Sequence, residues 1–88
     1  MNLENARPVL VEWIDATSHD PWEPSSDVTF ETHTITTVGY LVHEDEKVIG
    51  LALNIDKEGD AISCTMTIPR PVIIRMVDLC PKKILLIP

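Results

Sequence analysis

The stretch from Thr34 to Leu79 constrains the fold more than any other part of the chain. It divides as TITTVGYLVH, EDE, KVIGLALNI, DKEGD, AISCTMTI, PRP and VIIRMVDL. Runs of Val, Ile, Leu and Thr alternate with short acidic or Gly-containing breaks, which is the punctuation of strands joined by tight turns. Strands are expected over about residues 34–43, 47–55 and 61–68. Pro69 and Pro71 then break the ladder, because proline donates no backbone hydrogen bond. One 3-10 turn is expected across this corner, near residues 70–73, and a last strand over 74–79. Gly39 and Gly50 fall inside strands, where glycine marks a bulge, a bend or a close backbone approach. The expectation is a small, strongly bent, five-stranded β-barrel.

The first of the five strands is PVLVEWIDA, residues 8–16. Val9, Val11 and Trp13 share one face and Leu10, Glu12 and Ile14 the other, so the alternation is mixed. Residues 1–7 read as a flexible polar lead, and residues 1–88 as a single domain. A chain of this size buries only about 60–65% of its unfolded surface, so its core is thin. The only aromatics are Trp13, Trp22, Phe30 and Tyr40, which makes that core aliphatic. The third strand is apolar on both faces, a pattern of strands covered on both faces. The fourth has the cleanest alternation, with Ile62, Cys64, Met66 and Ile68 expected to point inward. The tail, residues 80–88, contains KKILLIP and is expected as a sixth strand or a contact with another copy.

Charge narrows the choice of partners. The net charge is −7, with seven acidic residues and Arg7 alone as a base in residues 1–43. Such a chain repels a phosphate backbone, which argues against general nucleic-acid binding. The two cysteines, Cys64 and Cys80, are expected to remain free thiols. The sequence begins without a charged-then-apolar signal pattern, and its longest apolar run, ILLI, is far below the roughly 20 residues that span a bilayer. A reduced, cytosolic protein without membrane attachment is expected.

Residues 17–33 form a long connection that holds Pro21 and Pro24 but no Gly. Ser25, Ser26 and Asp27 suit one capped helical turn within it. Connections this long in a small domain tend to be functional or disordered. Trp13, Asp15, Thr17, Ser18, His19 and Trp22 fall within ten residues of one another. Indoles stack on flat ligands, and carboxylate and hydroxyl groups bond their edges, so these six residues are the candidate ligand-binding set. In the plainer alternative, Trp13 belongs to the core, Trp22 pins the loop to the barrel, and Asp15 or Ser18 caps a turn.

Catalytic patterns are missing. Asp15, Ser18 and His19 are close in sequence, but a triad needs hydrogen-bond geometry that adjacency does not supply, and there is no Gly-rich nucleophile elbow. His19, His33 and His43 lack the paired spacing of a metal site. The glycines are too scattered for a phosphate loop. No enzymatic activity, metal or cofactor is expected.

The meander, corner and last strand match the SH3-like and Sm-like barrels at the level of architecture, which does not by itself imply function. The segment Val11-Glu12-Trp13-Ile14-Asp15-Ala16 with Trp22 after it, Thr37-Val38-Gly39-Tyr40-Leu41-Val42 before an acidic turn, and Ile68-Pro69-Arg70 before Ile73 and Leu79 together resemble a group of small bacteriophage- and prophage-encoded proteins of undescribed function. The resemblance spans residues 8–79. It implies an accessory protein acting in the cytoplasm of an infected bacterium and carries no catalytic residues. Three readings follow. The first is a homo-oligomer that sequesters a small host ligand, such as a signalling nucleotide, in counter-defence. The second is an inhibitor of a host or phage protein acting through its acidic surface. The third is a minor virion component.

Overall fold

Alternating apolar side chains along five strands converge on one face of a single antiparallel sheet. The computed structural model describes residues 3–80, and the expectations for residues 81–88 lie outside the described residues. The strands are β1 (Arg7–Asp15), β2 (His33–Glu44), β3 (Val48–Asp56), β4 (Ala61–Pro69) and β5 (Ile73–Asp78). Their order across the sheet is β4-β3-β2-β1-β5. The sheet bends but does not close, so the expected barrel is met as five antiparallel strands, and β4 and β5 are its edges among the described residues.

The register explains where the core sits. Val9 lies opposite Gly39, Leu41 opposite Leu51, Ile49 opposite Ile68, and Val11 opposite Met76. Cross-strand partners share a face, and these rows give the buried cluster of Val9, Val11, Leu41, Ile49, Leu51 and Ile68. Trp13, Val72, Ile73 and Met76 close over it. No polar side chain is buried among the described residues.

Two register slips bend the ladders, one in the β1–β5 pairing at Glu12 and Trp13, where Ile74 of β5 is the extra residue, the other in β2 between Leu41 and His43, where Val42 is extra. The glycines mark close approaches. A Cβ on Gly50 would lie 3.0 Å from the Cβ of His43, and one on Gly39 would lie 3.3 Å from the carbonyl oxygen of Ala52.

The turn between β2 and β3 is built on Asp45. Its Oδ1 accepts the backbone N–H of Lys47 at 2.7 Å and of Val48 at 2.9 Å, while its Oδ2 meets His43 Nε2 at 2.7 Å. The bond from His43, followed by the two backbone donors, lowers the Asp45 carboxyl to about 2. The proline corner docks on this turn. Its 3-10 turn, Arg70–Val72, sends Arg70 Nε to the Asp45 carbonyl at 2.5 Å and the Arg70 backbone N–H to the Lys47 carbonyl at 2.9 Å. Elsewhere Arg75 bonds Glu12 at 2.8 Å across β5 and β1, which holds the Glu12 carboxyl below its ordinary range. Arg7 similarly bonds Asp78 at 2.6 Å.

Strand β4 departs from its expected burial. Ile62, Cys64, Met66 and Ile68 share a face, but only Ile68 is buried. Ile68 lies opposite Ile49 beside the corner and Met66 opposite Leu51, but β4 is an edge strand with no neighbour on its outer side among the described residues, and beyond Leu51 and Ala52 the β3–β4 hairpin runs past the buried cluster. Met66 and Leu53 are therefore exposed, and Cys64 is exposed with a left-handed φ of 55°. That conformation is uncommon for a residue with a side chain. On β3, Leu51 and Ala52 are both buried, so this chain itself covers both sides of the strand at that level. Within the lead, Leu3–Asn5 form a 3-10 turn and Leu3 is buried.

Candidate functional site

Because β1 and β2 are paired out to Asp15 opposite His33, the chain between them must leave and re-enter the sheet at one point. Residues 16–32 consequently form an arm that runs out and back. Thr17 Oγ1 ties its two legs by donating to the Glu31 carbonyl at 2.7 Å. Its tip is the 3-10 turn Ser25–Asp27, where the Asp27 N–H bonds the Pro24 carbonyl at 2.9 Å. The helical turn occurs where Ser25 and Asp27 suggest it, although no side chain caps it. Val28 is half-buried, and the rest of residues 16–32 is exposed.

A cavity of about 630 Å³ opens between the legs, lined by residues 16–23 and 28–32. Four of the six residues singled out from sequence, Thr17, Ser18, His19 and Trp22, lie around it. The other two do not. Trp13 packs against the core and donates its Nε1–H to Thr37 Oγ1 at 2.9 Å, and Asp15 stands at the base of the arm at the end of β1. Trp22 does not pin the arm to the sheet, since it is fully exposed, and so, nearly, is Phe30. The side-chain bond of Trp13 explains how an indole sits at the rim of an aliphatic core without leaving its N–H unpaired.

Phe30, Asp20, Glu23 and Glu31 also line the cavity and were not in the sequence-based set. The signal that reveals them is topological. A connection between two paired strands brings its return leg beside its outward leg, so Phe30 comes to the same cavity as Trp22. Residues 17–32 contain Asp20, Glu23, Asp27 and Glu31 and no Lys or Arg. The arm's one ion pair among the described residues joins His19 Nε2 to Glu23 at 3.1 Å.

The other openings are poorer candidates. One of about 370 Å³ touches Tyr40, Leu53 and Asn54, and one of about 160 Å³ touches Arg7, Leu41 and Glu44. Among the described residues, no three His, Cys, Asp or Glu side chains gather as metal ligands would, and no helix is long and apolar enough to cross a membrane. No family model matches this chain, and neither does any curated protein or solved structure compared with it.

Proposed function

We propose that this protein works by binding, without turnover, and that it occupies a basic surface of a host or phage protein through the arm between β1 and β2. The observation that carries this reading is the arm's composition: two exposed aromatic side chains among carboxylates, held out from the sheet, with no arginine or lysine. Exposed aromatics are costly to leave in water and are the residue types that anchor protein interfaces. A surrounding field of one sign speeds encounter with a partner of the opposite sign.

Charge also ranks this reading above capture of a signalling nucleotide. The phosphates of such a ligand would meet Asp20, Glu23 and Glu31 with, among the described residues, only His19 lining the cavity to offset them. The resemblance to small phage-encoded proteins supports an accessory role in the cytoplasm of an infected bacterium. Strand order β4-β3-β2-β1-β5, two register slips and a 3-10 corner before the last strand support an SH3-like lineage for the scaffold. The two edge strands, β4 and β5, which have no outer neighbour among the described residues, support self-association.

The test is capture from infected-cell lysate with a photo-crosslinking residue at Thr29, an exposed position of the arm beside Phe30. The expected result is one stoichiometric basic protein, retained by the native arm and lost on Phe30→Ala. Recovery of a small anionic molecule, or of no partner, would overturn the proposal.

A further inference from the structure

The arm cavity has a chemistry more specific than an acidic surface. Two exposed aromatic residues, Trp22 and Phe30, and three acidic residues, Asp20, Glu23 and Glu31, line the same cavity. No Lys or Arg occurs anywhere between Arg7 and Lys47. All three arginines are committed elsewhere, Arg7 to Asp78, Arg70 to Glu44 and Arg75 to Glu12. Among the described residues, no Lys or Arg neutralises the carboxylates that line the cavity. Its only internal cation is His19, and only when that imidazole is protonated.

Aromatic faces attract cations through the ring quadrupole, and nearby carboxylates add a Coulombic attraction of the same sign. Guanidinium also bonds a carboxylate in a two-pronged fork that no anion or neutral amide reproduces. We propose that the cavity is a receptor for an organic cation on an apolar stem, and that its occupant is an arginine side chain of the partner protein. The stem lies against Trp22 and Phe30, and the guanidinium displaces His19 from Glu23. A volume of about 630 Å³ accommodates the whole side chain with room for flanking backbone. This rests on the reading of the arm as the binding element and adds the group it recognises.

The experiment titrates the full chain with an Arg-containing peptide, and separately with the same peptide carrying norleucine in place of Arg, with agmatine, and with AMP. The readouts are the Trp22 indole resonance of the native protein and the fluorescence of the Trp13→Phe variant, in which Trp22 is the only indole. The expected result is a saturable response to the Arg peptide that weakens at least about tenfold in the Glu23→Gln, Glu31→Gln double variant and in Trp22→Ala, and that weakens with added salt. Equal binding of the norleucine peptide would reduce the cavity to an apolar cleft and overturn the proposal. Tighter binding of AMP or no saturable response would do the same. Agmatine binding as tightly as the peptide would overturn the assignment to a partner side chain. Should a basic protein be captured while the Arg peptide fails, this proposal falls and the function reading stands. Should the peptide bind while lysate yields no partner, the function reading is the one that fails.

Discussion

The carboxylate of Asp45 accepts from His43 on one oxygen and from two backbone N–H groups on the other, and its backbone carbonyl takes the Arg70 side chain. One residue thus joins the β2–β3 turn to the proline corner. Its carboxyl titrates at about 2 in the folded protein against an ordinary 3.8, so the folded state prefers the ionised form. The stability this supplies is complete above about pH 3.8 and is lost as pH falls toward 2. Asp45→Asn keeps the shape and removes the titration. The variant is expected to be less stable at neutral pH, and the difference from the native protein is expected to vanish below pH 2, as thermal melts across the acid range would show. At Ile49 the physics is packing alone. It is fully buried in a core of few residues, so Ile49→Ala should cost about 2–5 kcal/mol, read from the urea midpoint. Trp13→Phe keeps the aromatic packing and loses the bond to Thr37, which should cost about 1 kcal/mol in the same measurement.

At the scale of elements, the arm and the sheet obey different rules. Trp22→Ala and Phe30→Ala remove exposed side chains, so each should change stability by no more than about 0.5 kcal/mol while abolishing partner capture. A large fall in stability would show that the arm is part of the core's support. The strands themselves were readable to within a residue or two, because Pro, Gly and acidic turns bracket each apolar run. Gly39 and Gly50 likewise announced close approaches. Periodicity could not show how far the core extends along each strand. Ile62, Cys64 and Met66 follow the same alternation as Ile68, yet Met66 is exposed on the edge strand although it faces buried Leu51, and Cys64 and Ile62 lie farther along the hairpin than any residue of the buried cluster. Half of the arm's cavity was legible for a related reason. Trp22 and its polar neighbours stand together in sequence, whereas Phe30 and Glu31 arrive from the other leg. Trp13 shares the sequence window of the site, but strand geometry turns it toward the core.

The whole molecule carries more surface than its size requires. It exposes 7285 Å², whereas a compact monomer of 9.9 kDa exposes about 5200 Å². Part of the excess is apolar and lies near or on open edges, at Leu53, Met66, Ile74 and Val77. An unpaired edge with apolar neighbours recruits another strand. The native protein is therefore expected to scatter light as a particle heavier than 9.9 kDa, and Met66→Lys on the β4 edge should lower that mass. A strictly monomeric native protein would show that the edges stay bare in solution.

The direct pairing of Asp15 with His33 means that the sheet is complete without the segment between them. An Asn-Gly turn is long enough to join two such strands, so exchanging residues 16–32 for that dipeptide should leave a folded scaffold. The arm is in this sense a cassette. Its legs can lengthen, shorten or change composition without disturbing the rows that hold Val9, Val11 and Ile49 in place. Two nearly independent texts are written in one chain, a sheet whose residues must keep folding and an arm whose residues can change without unfolding it.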